Sequence, residues 1–229
     1  MRVLVLGSES DGFLEALECA RCAREVGGCV DLVLVERATD SAGSIVPGRP
    51  QSVLLLEALE RSEALCLTGG ADIGPPISPA PATEGRYRSY GRRDRFEHDI
   101  VRRWMASGRR MLGICRGAQL LALESGGRLV EHLDGHIADE AWDDRFVAHP
   151  VTTTDESIGR RVAGRCSLVN SSHHQAIADP GSLKASASRG NDIEAVEAPQ
   201  ILGLQWHPEM LPTSHPGRLA PFRWLLSGS

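Results

Sequence analysis

A cysteine stands between two glycines in Gly113-Ile114-Cys115-Arg116-Gly117, with an apolar run before it and a helix-patterned run after it. This is the spacing of a nucleophile elbow, in which small residues on both sides let the chain turn sharply and present a reactive side chain in a strained backbone conformation. Placed at the N-terminus of the helix RGAQLLALESGG, the sulfur of Cys115 would face unpaired backbone N–H groups and the positive end of a helix dipole, which favour a thiolate and can also stabilise an oxyanion. A second constellation lies near the other end of the chain, where LGLQWHPEML carries His207, Pro208 and Glu209. Histidine is the usual partner that takes a proton from a thiol and returns it to a leaving group, and a carboxylate fixes its tautomer and supports its positive charge. Residues two apart on an extended segment face the same side, so Glu209 can reach the ring of His207.

These residues need elements to position them. RVLVLG reads as a buried strand, GFLEALECARCAREVGG as a helix ending at a glycine pair, VDLVLVE as a second strand, SVLLLEALERSE as a short helix and ALCLTGG as a third strand running into glycines. After a proline-rich loop, DRFEHDIVRRWMASG is a helix with Phe96, Ile100, Val101, Trp104 and Met105 on one side, and RRMLGIC is a fourth strand. This alternation predicts an α/β fold with a doubly wound, mainly parallel sheet and helices on both faces. The second half reads as more β-rich, with strands at RFVAHPVTTT, CSLVNSS, DIEAVEA and ILGLQWH, several of them in hairpins. In such a sheet, reactive side chains gather beyond the carboxyl ends of the strands, which is where Cys115 falls.

The chain has 229 residues, enough for one large domain over 1–229, and no Ser/Pro linker divides it. A formal net charge of −5 without a long basic run points away from a nucleic-acid partner. No apolar segment reaches the length of a membrane span, and the opening MRVLVLG is shorter than a signal-peptide core, so the expected location is cytoplasmic, with no membrane association. The six cysteines are expected to be free thiols, with Cys19 and Cys22 packing inside a helix, since no second pair completes a zinc site. No metal and no cofactor is expected: His173 and His174 are chain neighbours that point apart with no third ligand close in sequence, and His132, His136 and His149 fit solvated or core-edge roles. Asp94 and Glu97, at the start of a helix, complement its dipole.

The ordered motifs LTGGADIGP, RDRFEHDIV, LGICRGAQLL with GGRLVEHL, HPVTTT, LVNSSHHQAI, IEAVEA and LGLQWHPEM resemble the class I glutamine amidotransferase-like superfamily, and within it the γ-glutamyl-γ-aminobutyrate hydrolase-like branch of C26-type cysteine peptidases. The resemblance covers Gly27 to Glu209. It implies a flavodoxin-like doubly wound sheet and a Cys115, His207, Glu209 triad cleaving a γ-glutamyl amide through a thioester, with the N–H groups of Gly70 and Arg116 as oxyanion hole. It also implies substrate contacts from Gly69, Gln119, His173, His174 and Gln175. Asp72 is either a turn former or a contact for a substrate amine. Thr68 stands where the family usually has proline, and Gly190-Asn191-Asp192 replaces its usual Asp-Gly; neither touches the triad. The loop from Pro75 to Gly91, with Tyr87 and Tyr90, is expected to overhang the cleft and select the amine. The expected partner is a small γ-glutamyl substrate. The reading leaves room for a homodimer, and the alternative is a glutaminase subunit that supplies ammonia to a separate synthetase.

Overall fold

The computed structural model describes residues 1–74, 91–136 and 146–227. The first half follows the expected alternation: β1 (Arg2–Gly7), α1 (Phe13–Glu25), β2 (Cys29–Leu34), α2 (Val35–Ala38), α3 (Pro50–Arg61), β3 (Ala64–Leu67), α4 (Arg92–Ala106), β4 (Arg110–Ile114) and α5 (Arg116–Glu124). The second half contributes β5 (Arg128–Val130), β6 (Val147–Thr153), α6 (Ile158–Ala163), β7 (Cys166–Ser171), β8 (Ala176–Asp179), β9 (Lys184–Arg189), β10 (Asp192–Ala198), β11 (Ile201–Leu204), a 3-10 turn (Pro208–Met210) and α7 (Ala220–Ser227).

The strands run in the order β2-β1-β3-β4-β11-β10-β9-β6-β7, and β8 joins β10 to β5. Pairing is parallel from β2 to β11 and antiparallel from β11 onward. Alternation along β1 shows why both faces are covered. Val3 and Val5 pack with Cys19, Ala23 and Phe222 on one side, while Leu4 and Leu6 pack with Leu55, Trp104 and Leu121 on the other, all fully buried or nearly so. A strand buried on both faces reads as a continuous apolar run, as RVLVLG does. Cys19 and Cys22 lie in the first of these layers, and burial pushes the Cys22 thiol up to about 12, so both are packing residues. All six cysteines are free.

Two expectations need correction. The strand expected at VDLVLVE stops at Leu34, and Val35 begins a short helix instead. The pattern also did not predict β9, whose KASASR is too poor in apolar residues to register as a strand but pairs with β10 and β6. The loop carrying Tyr87 and Tyr90 lies outside the described residues. Among the described residues, no helix is long and apolar enough to cross a membrane.

Candidate active site

Sheet order brings the site together. β4 lies between β3 and β11, with Leu67 opposite Gly113 and Leu204 opposite Ile114, so the three strands end at one level. Their next residues are Thr68-Gly69-Gly70, Cys115 and Gln205-Trp206-His207. Cys115 has φ 49 and ψ −107, a conformation that L residues rarely adopt, and its N–H donates to the Leu204 carbonyl at 2.7 Å. The flanking glycines are required by contact. A Cβ on Gly113 would come within 2.5 Å of the Gly117 carbonyl carbon, and one on Gly117 within 2.5 Å of the Leu67 oxygen.

His207 Nδ1 lies 2.8 Å from Glu209 Oε1, and both residues are buried. Burial alone pushes the His207 imidazolium toward deprotonation. The carboxylate of Glu209 and the sulfur of Cys115, which is within hydrogen-bonding reach of the ring, together outweigh it and hold the His207 pKa well above the ordinary histidine value. The His207 backbone is held as well, its N–H donating to Asn170 O at 3.3 Å and its carbonyl accepting from Asn170 Nδ2 at 2.9 Å, and Phe146 meets the ring edge-on at 5.3 Å between centroids.

The thiol and the ring open onto a pocket of about 260 Å³ lined by Asp11, Glu15, Gly70, Phe146 and Ser172. An adjoining hollow of about 330 Å³ shares Asp11 and Ala71 with it and reaches Asp72, Arg93 and Arg116. Asp11, Glu15 and Phe146 escaped the sequence reading because each lies outside the motifs, and Ser172 lies inside LVNSSHHQAI but was not singled out; the carboxyl end of β1, where Asp11 and Glu15 follow, could have flagged two of them.

Beneath the pocket runs a buried ion network. The Arg116 guanidinium pairs with Glu97 and Asp94, Arg93 Nε donates to Glu97 Oε1 at 2.9 Å, and all four side chains are buried. This corrects the expectation that Asp94 and Glu97 merely complement a helix dipole. Arg93 also donates to the carbonyls of Thr68 and Gly69, at 3.0 Å each. A trans peptide directs its C=O and the next N–H to opposite sides, so pinning the Gly69 oxygen on Arg93 turns the Gly70 N–H away from that guanidinium. Asp94 Oδ2 accepts from Gly74 N at 3.4 Å and Gly91 N at 3.1 Å. One carboxylate thereby ties together the two ends that flank residues 75–90.

The other expected substrate contacts fall elsewhere. Gln119 Nε2 donates to Gln175 O at 2.6 Å, the Gln175 side chain clamps Ile73 N at 3.0 Å and Ile73 O at 3.2 Å, and His173 Nδ1 lies 3.1 Å from Gln175 O. These three side chains are buried and hydrogen-bonded to protein groups, His173 through Nδ1 alone, and none lines the pocket. Gly69 sits against the histidine, since a Cβ there would come within 2.8 Å of His207 Cε1. Asp72 pairs with His174 Nε2 at 3.0 Å on the outer rim. His132 is exposed and faces Asp134, whereas His136 and His149 are buried, contrary to the solvated or core-edge role expected of them.

A glutamine amidotransferase from Thermotoga maritima superposes with a TM-score of 0.64 at 18% identity, covering 91% of this chain and 76% of that one. The glutaminase domain of Trypanosoma brucei CTPS, solved with bound acivicin, gives 0.61 at 15% identity over 99% of this chain and 92% of that one. These likenesses show a shared fold. The chain belongs to the Peptidase C26 family, whose model matches residues 32–209. Among named relatives, "Putative glutamine amidotransferase Rv2859c" of Mycobacterium tuberculosis is 34% identical over 174 residues, covering 71% of this chain and 55% of that protein. "GMP synthase [glutamine-hydrolyzing]" of Thermus thermophilus is 29% identical over 160 residues, covering 67% of this chain and 29% of that protein. The chain thus spans little more than half the length of the Mycobacterium relative.

Proposed function

We propose that the protein is a hydrolase that cleaves the γ-amide bond of a γ-glutamyl amine or a glutamine-like substrate, with Cys115 as nucleophile. The observation that carries this reading is the buried His207–Glu209 pair beside a cysteine held at positive φ. A cysteine poised next to an imidazolium is a nucleophile at neutral pH, and a histidine whose other nitrogen is held by a carboxylate can return a proton to a departing amine.

In this reading the Cys115 thiolate attacks the γ-carbonyl carbon and the carbonyl electrons collect on oxygen, facing the N–H groups of Gly70 and Arg116. The first-turn N–H of a helix has no intrahelical partner, which leaves that of Arg116 free for this use. As the oxygen electrons return, the C–N bond breaks and the amine leaves with the proton of His207. Water, deprotonated by the now neutral His207, then attacks the thioester carbonyl, releasing glutamate and restoring the thiolate. Asp11 and Glu15 place two carboxylates on the pocket wall, suited to the substrate ammonium group.

The test is a panel of γ-glutamyl amides with varied amines, read by released glutamate: turnover of several members is expected, and turnover of none contradicts the reading. A second reading, a glutaminase subunit for a separate synthetase, is favoured by the likeness to a glutamine-hydrolysing GMP synthase. It predicts that glutamine is the preferred substrate and that its hydrolysis rises strongly on adding a synthetase partner.

A further inference from the structure

The geometry points to a closed structural site for one divalent first-row cation of the zinc class, formed by His136, His149, His173 and Glu194 behind the candidate active site. The four residues come from four segments: the loop after β5, strand β6, the turn after β7 and strand β10. Ligand atoms of His136, His173 and Glu194 all lie within 4.8 Å of one another. His136 Nδ1 is 3.2 Å and His149 Nε2 is 3.6 Å from Glu194 Oε1. Ligand atoms about 2.0–2.2 Å from a tetrahedral zinc are separated by about 3.4 Å, so these two spacings already fit, and modest side-chain movement closes the rest.

Four of the would-be ligand atoms lack other partners. His149 Nε2, His173 Nε2 and both carboxylate oxygens of Glu194 are buried without a hydrogen bond among the described residues. An ionised carboxylate in that condition is costly unless a positive charge faces it. His149 and His173 do not supply one: burial is the largest cause pushing His149 down, and it pushes His173 down to about 3, which favours the neutral rings that bind metal. Arg189, whose charge reaches His149, donates instead to Gly135 O at 2.9 Å.

The outer contacts are those of metal-bound histidines. His173 Nδ1 faces Gln175 O at 3.1 Å and His149 Nδ1 faces Pro150 O at 3.4 Å, which puts the proton on Nδ1 and the lone pair on Nε2. His136 Nε2 has Asp192 Oδ2 at 3.5 Å, and its Nδ1 faces Glu194 Oε1 at 3.2 Å with Ser171 Oγ at 3.4 Å, a hydroxyl that a bound cation would displace from that nitrogen. Three imidazoles and one carboxylate fill a tetrahedral site, and burial of all four leaves no open position for a reacting water, so the role is structural. The cation would tie β6 and β10 to the turn that presents Ser172 to the pocket and to the strand whose Asn170 holds His207.

The test uses the full chain without a histidine tag, stripped with a strong chelator and dialysed against zinc sulfate, with metal content read by mass spectrometry. About one tightly held zinc per chain is expected, with a higher Tm for the loaded protein. Cobalt(II) loaded in its place should give intense tetrahedral d–d bands without a thiolate charge-transfer band, which separates this site from zinc caught by Cys29, Cys115 or Cys166. Glu194→Gln and, separately, His149→Gln should lose stoichiometric binding, and Cys115→Ala should keep it. The site is overturned if the wild type retains less than about a tenth of an equivalent, if the cobalt spectrum shows thiolate ligation, or if either ligand variant, folded by circular dichroism, binds as the wild type does. Should both ligand variants fail to fold, the wild-type stoichiometry and cobalt spectrum decide alone.

Discussion

His207 and Glu209 are two residues apart, and their side chains meet at 2.8 Å between Nδ1 and Oε1 in a site where both are buried. Pro208 starts the 3-10 turn that folds Glu209 back under the ring. Because the contact occupies Nδ1, the ring offers Nε2 to the sulfur. In the proposed mechanism His207 serves as both base and acid, so His207→Ala should cost roughly 10³- to 10⁴-fold in kcat/KM. Glu209→Gln keeps the ring and weakens only its orientation and charge support, and should cost about 10- to 100-fold. Equal small losses in steady-state assays of the two variants would contradict these roles.

Gly69 should tolerate no side chain. A methyl group there would come within 2.8 Å of His207 Cε1, and the ring, fixed on its other side by Glu209, has to move away from Cys115. Gly69→Ala is expected to lower kcat on the order of a hundredfold while leaving the far-UV spectrum intact. Unchanged kcat would show that the ring has slack the structure does not suggest.

The ion network under the elbow makes a stability prediction. Removing Arg116 leaves Asp94 buried without its cation and Glu97 with Arg93 alone, and breaking a buried pair on one side costs about 3–5 kcal/mol. Urea denaturation of Arg116→Ala should show a midpoint lowered accordingly. Substituting Arg116 and Asp94 together by apolar residues of similar size, which keeps the Arg93–Glu97 pair, should recover much of that loss, which a purely steric role for Arg116 would not allow.

The raised pKa of His207 has a defined sign. A histidine titrates near 6.5 in the unfolded chain, and its folded value lies well above that. Its contribution to stability is therefore fully present below about pH 6.5 and is lost as pH rises through the folded value. Cys115 is one of the causes that raise it, after Glu209, so Cys115→Ala should lower the His207 pKa. An NMR titration of the ring checks both statements, and a His207 titrating near its ordinary value in the wild type would contradict the thiolate–imidazolium pair.

Local pattern carried much of the fold. The apolar runs RVLVLG, ALCLTGG and RRMLGIC mark β1, β3 and β4 because a strand covered on both faces has no polar alternation to hide it. The tight turn at Cys115 was legible for a similar reason, since contacts as short as those at Gly113 and Gly117 exclude every other residue. What stayed hidden depends on distant segments. β9 is held by its neighbours and not by its own composition, Asp94 and Glu97 read as helix-start acids until Arg116 is placed above them, and His136, His149 and His173 meet around Glu194 only once four segments have folded. Gln119, His173 and Gln175 belong to the motifs, but Gln119 and His173 turn onto the Gln175 carbonyl and the Gln175 side chain braces Ile73.

The central claim, that Cys115 carries the γ-glutamyl group, is tested most directly by acid-quenching the enzyme during turnover of a γ-glutamyl amide and mapping the acyl adduct by peptide mass spectrometry. The account predicts a glutamyl thioester on the peptide containing Cys115, absent from Cys115→Ala, whose glutamate release should fall by roughly 10⁴-fold or more while the fold persists. An adduct on Cys66 or Cys166, or glutamate release undiminished in Cys115→Ala, would contradict it.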